Sequence, residues 1–234
     1  FLGPELSCAH SVWLTDDDID LMAQSNTTVC HNASSNLRLK NGIAPVTTMA
    51  ARGVNVAMGT DSTALNDDDD MVQEMRLVNH LHRLPGINEP AVNPHQVLKM
   101  ATINAARPTF FHDRIGALEK GRRADLVILD HASLEGPYLD PDLNVIDILI
   151  NRGKTRDIKT VLIDGRVVLK DGEFPGLSKA DVVQELKDRF SHPLDQATLE
   201  RRGMVNRLAP YVERFYESWN QPEAVPHYRY NSRT

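Results

Sequence analysis

The run Val54-Asn55-Val56-Ala57-Met58-Gly59-Thr60-Asp61-Ser62 constrains this chain more than any other stretch. It is short and nearly all apolar, and it ends in a small residue, a hydroxyl and a carboxylate. Too apolar to alternate, it suits a strand buried on both faces of a parallel sheet. An acid just past such a strand sits where an α/β barrel gathers its catalytic groups. Asp61 is therefore a candidate metal ligand, in a site that this chain is not expected to complete alone.

Two neighbours of the same kind lie upstream. Leu6 to Ala9 reads as a strand leading to His10, and Thr27 to Cys30 as a strand leading to His31. Helical segments separate them. Thr15 is an N-cap with Asp18 three residues on, and the helix from Asp16 to about Gln24 is expected to bury Ile19, Leu21 and Met22. A polar loop is expected over His31 to Asn36. Pro45 suits the first position of a helix that Gly53 ends. After Asp61, a helix from about Asp69 to Leu84 carries Met71, Met75, Val78 and Leu81 as its apolar stripe. Asn93-Pro94 then caps a helix from His95 to about Arg107. This strand–helix rhythm, repeated about every 20 to 30 residues, belongs to a parallel barrel or a doubly wound sheet.

The pattern changes near Ile115. Ala124 to Asp130 and Thr160 to Ile163 read as short strands, and Asp164-Gly165 turns the second into Val167-Val168-Leu169, a strong hairpin signal. Residues 115–175 are expected to form a mainly-β unit without alternating helices. From Ser178 two helices follow, to about Phe190 and from Leu194 to about Trp219. Tyr211, Phe215, Tyr216 and Trp219 recur at helical spacing, as a core stripe or an oligomer contact would. Gln221 to Thr234 is expected to lie extended over a neighbour.

Composition excludes several classes. The net charge of −6, without a basic run, argues against nucleic acid or an anionic membrane as partner. No apolar stretch reaches the roughly 18 residues that span a bilayer. Cys8 and Cys30 form no disulfide framework, and a cytoplasmic location is expected. The opening Phe1-Leu2-Gly3-Pro4 carries neither an initiator Met nor a targeting segment and reads as a start in mid-fold.

His10, His31 and Asp61 share one position type, the end of a parallel strand, and in a barrel those ends converge on one mouth. Imidazole and carboxylate suit Zn²⁺ or Fe²⁺, and equally suit acid–base work beside a metal-bound water. A soft site using Cys8 and Cys30 is conceivable, but small cysteines packing the barrel interior are the simpler reading. His80 and His82, two apart on a helix, cannot share a face. Asp67 to Asp70 lacks the spacing of a calcium loop and reads as a helix N-terminal cluster. There is no phosphate-cradling glycine loop and no nucleophile elbow.

Several separated motifs then agree. Ala9-His10-Ser11-Val12-Trp13-Leu14-Thr15, His31-Asn32-Ala33-Ser34-Ser35-Asn36-Leu37-Arg38-Leu39 with Gly42-Ile43-Ala44-Pro45, Gly59-Thr60-Asp61-Ser62 and Glu74-Met75-Arg76-Leu77 occur in order. Gly116 to Asp130 is close to a Gly-x-Leu-x-x-Gly-Lys-x-Ala-Asp-Leu-Val stretch. Over residues 1 to 172 the chain resembles the amidohydrolase superfamily, in the branch of guanine and cytosine deaminases, methylthioadenosine/adenosylhomocysteine deaminases and triazine hydrolases.

The resemblance implies an α/β fold, the C-terminal part of a distorted TIM (β/α)8 barrel (strands 6 to 8), then part of a small β-sandwich and a helical tail. The expected boundaries are 1–114, 115–175 and 176–234. It implies that Asp61 ligates one Zn²⁺ or Fe²⁺ and shuttles protons, that His10 lies beside the hydrolytic water, and that His31, Ser35, Asn36, Trp13 and Ser62 line the substrate pocket. The expected reaction is hydrolytic deamination of an amino-substituted N-heterocycle of purine, pterin, pyrimidine or triazine type. Dechlorination, amide hydrolysis or a non-catalytic partner subunit are the alternatives.

The family's first-strand His-x-His pair, fifth-strand histidine and general-acid glutamate have no counterpart in this sequence. Three βα units do not close an eight-stranded barrel, and five more at ~30 residues each need about 150 residues. The remainder is expected on the same precursor or on a separate subunit, in a homo- or hetero-oligomer. The chain alone is expected neither to fold stably nor to bind metal tightly.

Overall fold

Three short strands pair in parallel in the computed structural model, which describes residues 1–217. They are β1 (Ser7–Ala9), β2 (Thr28–His31) and β3 (Asn55–Met58), in the order β1-β2-β3. Their register aligns Cys8, Val29 and Val56 in one row and Ala9, Cys30 and Ala57 in the next. Side chains alternate across a strand, so the first row shares a face with Met58 and with His31, which pairs with it. That face is covered by helices. Val29, Val56 and Met58 join Ile19, Met22, Val46, Met49, Val72, Met75, Val78, Val97 and Met100 in the main apolar core. Sealing Val29 and Val56, 0% and 2% exposed, stabilises by about 1.5–3 kcal/mol per side chain. The opposite face carries Ser7, Ala9, Thr28, Cys30, Asn55 and Ala57. Ser7 and Ala9 are exposed on it; Cys30 there is half-buried, and so is Cys8, which packs against the core on the other face.

Local chemistry sets most helix starts. Thr15 and Asp18 form the expected capping box of α1 (Asp16–Ser25). Ile19 and Met22 are buried, but Leu21 is 52% exposed, since two positions along a helix point it away from Ile19. The loop expected at His31 to Asn36 is largely helical, because α2 spans Ala33–Arg38. Next comes α3 (Val46–Ala51), with Pro45 as its cap rather than its first residue, and Gly53 follows it at φ 83°. The segment after β3 forms α4 (Thr63–Asn66) and α5 (Met71–Leu81), the second shorter than expected because Asp70 caps it through the amides of Val72 and Gln73.

The single helix expected over 95–107 is two. In α6 (Pro94–Ala101) Asn93 and Gln96 form a capping box, and α7 (Ile103–Ala106) follows a break at Thr102 (φ −127°, ψ −98°). The Asn104 side chain donates to the Val56 carbonyl at 3.0 Å, and Asn55 returns a bond to the Asn104 carbonyl at 3.0 Å, so α7 covers β3.

A second sheet is antiparallel. Its strands are β4 (Leu126–Leu129), β5 (Ile158–Ile163) and β6 (Arg166–Lys170), joined by the predicted Asp164-Gly165 hairpin. Helices are not absent from this segment as expected. After β4 come α8 (His131–Glu135) and α9 (Val145–Arg152), before β5. Asn144 caps α9, whose Ile148 and Ile150 are buried. It packs on α5 and α6, with Arg76 Nε donating to the Ile150 carbonyl at 3.0 Å.

By compactness the chain divides into residues 1–175 and 176–234. In the second unit Ser178 caps α10 (Lys179–Ser191), and α11 spans Gln196–Glu217. Neither helix has a buried residue, and Tyr211, Phe215 and Tyr216 are exposed. Trp219 and the extended stretch expected from Gln221 to Thr234 lie outside the described residues. Among the described residues no helix is long and apolar enough to cross a membrane.

Candidate active site at the carboxyl ends of the parallel strands

Past the ends of β1 and β3 the backbone turns left-handed at non-glycine residues: His10 (φ 65°), Ser11 (φ 50°) and Asp61 (φ 68°). Such residues cost energy that the surrounding structure must offset, and they concentrate where side chains are aimed for a purpose. The His10 amide donates to the Cys30 carbonyl at 2.9 Å, and the Gly59 amide to the His31 carbonyl at 3.1 Å. These bonds fix both turns against β2.

The two side chains meet. His10 Nε2 lies 3.9 Å from Asp61 Oδ2, with side chains 33% and 19% exposed. Each is held from behind by α2. Asn36 Oδ1 is 2.8 Å from His10 Nδ1, and Ser35 Oγ donates to Asp61 Oδ2 at 2.6 Å. An amide oxygen only accepts, so Nδ1 is the ring nitrogen that donates to Asn36, and Nε2 is the one that faces Asp61 and the open side. A basic nitrogen and a carboxylate thus face one accessible point.

Ser35 and Asn36 are 0% and 1% exposed. Expected to line a substrate pocket, they contact the two reactive candidates, and Asn36 Nδ2 is buried with no hydrogen-bond partner among the described residues. His31 is corrected more strongly. Its side chain is fully buried, because alternation along β2 turns it to the helix face. Its Nε2 lies 2.9 Å from Nε2 of His82, the residue that ends α5, with the rings edge to face. Burial first, then the neighbouring His82 and His10, push the His31 pKa down to about 3, and burial pushes His82 down to about 4. Both rings are neutral, one donating to the other. Trp13 is 84% exposed and Ser62 is exposed beside Asp61. The Cys30 thiol is pushed up by burial and then by the Asp61 charge, so it is a poor nucleophile.

The comparison of His80 with His82, two apart on a helix, leaves the role of His82 hidden. The helix period finds it: Met75, Val78 and His82 follow at three and four, the buried side of α5. Glu74 shares that side, 3% exposed, and its Oε1 accepts the Ser34 amide of α2 at 3.1 Å.

The donors that face outward, one carboxylate and one imidazole, are of the type that binds Zn²⁺ or Fe²⁺. Among the described residues no group of three or more His, Cys, Asp or Glu side chains could hold a metal ion.

Residues 1–168 match the profile of the amidohydrolase family. A 5'-deoxyadenosine deaminase of Methanosarcina mazei is 37% identical over 185 residues, covering 79% of this chain and 42% of the relative. A 5-methylthioadenosine/S-adenosylhomocysteine deaminase of Halothermothrix orenii is 34% identical over 77% of this chain and 41% of its own length. Among solved structures, an adenosine deaminase from Xanthomonas campestris with bound zinc superposes with a TM-score of 0.73 at 32% identity, over 80% of this chain and 43% of that one. An atrazine chlorohydrolase from Arthrobacter aurescens complexed with zinc gives 0.70 at 25% identity, over 78% and 40%. The chain spans about two fifths of the length of the relatives it matches.

Proposed function

The chain belongs to the amidohydrolase family, and we propose that it supplies strands six to eight of a distorted TIM barrel in a metal-dependent hydrolase that deaminates an amino-substituted N-heterocycle. An adenosine-type nucleoside is the first choice of substrate, since the two deaminases described above are named for 5'-deoxyadenosine and for 5-methylthioadenosine/S-adenosylhomocysteine. The observation that carries the reading is the pair itself: His10 and Asp61 face one accessible point at 3.9 Å, each braced by a buried partner. Polypeptide outside this sequence completes the donor set and much of the pocket.

Asp61 is the metal ligand that this chain contributes, and Zn²⁺ is preferred to Fe²⁺ because both solved relatives described above contain zinc. When bound, such a metal lowers the pKa of its water to about 7 and makes hydroxide available near neutral pH. The residues of this chain orient and deprotonate. The His10 Nε2 lone pair accepts a hydrogen bond or proton from the attacking water. Asp61 takes up and returns a proton during the same addition, with Ser35 fixing its carboxylate. Water adds at the amine-bearing ring carbon as the adjacent ring C=N π bond opens and the ring nitrogen takes up one proton; the exocyclic C–N bond then breaks as C=O forms, and ammonia leaves with the second water proton, returned by His10 or Asp61. Trp13 and Ser62 are the candidates to touch the heterocycle.

Dechlorination is the second reading, favoured by the likeness to the chlorohydrolase; there the water displaces chloride from the ring. The test is product release by the purified protein together with whatever polypeptide completes it. Ammonia from 5'-deoxyadenosine or methylthioadenosine, abolished by chelation and restored by zinc, is expected. Chloride from atrazine without ammonia from any purine would select the second reading. A metal-loaded protein with neither product would refute both.

A further inference from the structure

Helix α2 holds Ser35 and Asn36 against Asp61 and His10, yet it is six residues long. A helix that short is not stable by itself in water, and its first amides need acceptors. Its own N-cap residue does not supply one. Asn32 makes no side-chain cap bond; its Oδ1 accepts instead from Cys30 Sγ at 3.6 Å. That same oxygen sits where a Cβ on Gly59 would come within 2.7 Å, so it is wedged against the β3 turn.

The acceptor comes from another helix. Glu74 on α5 reaches across so that Oε1 takes the Ser34 amide at 3.1 Å. A carboxylate there is 3% exposed, and among the described residues no lysine or arginine pairs with it. Burying an unpaired charge is costly, and a helix N-terminus is one of the few neutral environments that favours an anion. On the other side of Ser34, Asn66 Nδ2 donates to Ser34 Oγ at 2.7 Å and to the Thr60 carbonyl at 3.0 Å, joining α2 to the segment that carries Asp61.

We propose that Glu74 is a positioning residue for the reaction: its buried carboxylate caps α2 from α5 and so fixes where Ser35 and Asn36 hold Asp61 and His10. The assignment rests on the function proposed above, but it concerns an arrangement that can be read without turnover. A side chain displaced by about 1 Å can cost a hundredfold in rate, so a carboxylate that never touches substrate still governs kcat.

Three variants in the completed enzyme test it. Glu74→Gln keeps an oxygen acceptor at the same reach and is expected to stay within about threefold of wild-type kcat. Glu74→Ala removes the acceptor, and Glu74→Asp keeps the charge but withdraws it. Both are expected to lower kcat about tenfold or more with KM little changed, the mark of a group acting on the transition state. Should the alanine variant fail to fold, the aspartate variant carries the test. Combined with Ser35→Ala, Glu74→Asp should add less than its separate effect, because the two act through one path.

A second readout is independent of activity: the ¹⁵N signals of the His10 ring report whether Nδ1 is still bonded to Asn36. They should be wild-type in Glu74→Gln and changed in Glu74→Asp. Wild-type kcat and an unchanged His10 signal in Glu74→Asp would overturn the proposal, as would a Glu74→Gln loss equal to that of alanine. If the wild-type protein deaminates nothing, the proposed function fails while the His10 signal still decides the role of Glu74.

Discussion

The two sheets use the same unusual backbone conformation for different reasons. In the antiparallel sheet, the non-glycine residues with positive φ are Asp164 (52°) and Asp171 (50°), each followed by a glycine, at 77° and 83°. The type I′ turn of a two-residue hairpin demands positive φ at both central positions, so turn geometry explains them. In the parallel sheet, His10, Ser11 and Asp61 take φ of 50–68° with no hairpin to make. There the conformation is upheld by tertiary bonds, from His10 to Cys30 and Asn36 and from Asp61 to Ser35. Left-handed backbone at a hairpin is local sequence chemistry. At the ends of parallel strands it marks side chains that are being aimed.

The contrast can be broken by substitution. The largest effect is expected at the strand ends: His10→Ala should lower kcat by about 10²–10⁴-fold, the usual loss on removing a general base, with thermal stability little changed. A loss under tenfold would return His10 to a structural role.

A medium effect concerns the core behind the site. His31 and His82 have folded-state pKa values of about 3 and 4, below the ordinary 6.5. The unfolded chain therefore takes up protons first. The stabilisation is complete above about pH 6.5 and is lost as the pH falls from there toward 4 and 3. The thermal midpoint should drop between pH 7 and pH 5, and His82→Phe should flatten that dependence by removing one titrating ring. Identical slopes in the two proteins would contradict the assignment.

The smallest effect is expected in the hairpin. Asp164→Val puts a β-branched residue at positive φ and should cost about 1–2 kcal/mol, read as a lowered midpoint with kcat unchanged. A change in kcat there would mean that the two sheets are coupled more closely than the comparison allows.

What was legible in the sequence follows the same division. The Thr15–Asp18 capping box, the Asn93-Pro94 helix start and the Asp164-Gly165 hairpin are short-range rules, and each is present. The positions of His10 and Asp61 at strand ends were also legible, because three apolar runs in βα rhythm fix where strands stop. Orientation was not. Whether His31 faces the mouth or the helices depends on the phase of alternation along a four-residue strand, and four residues carry too little pattern to set it. Ser35 and Asn36 were legible as site residues, but their contacts to Asp61 and His10 were not, since only the packed structure shows that α2 lies buried behind those side chains. His82 and Glu74 were within reach of the helix period around Val78, but polar residues on an apolar stripe do not stand out until the stripe is read as a face. The helices α8 and α9 were hidden by the β-branched runs on either side of them.

The central claim is that Asp61 holds a catalytic metal in a site this chain completes with other polypeptide. The direct test is metal content of the native assembly carrying Asp61→Asn, measured beside the wild type. The account predicts about one zinc per complete barrel in the wild type, and little retained metal with no detectable turnover in the variant. Full metal occupancy with near-normal ammonia release in Asp61→Asn would contradict it.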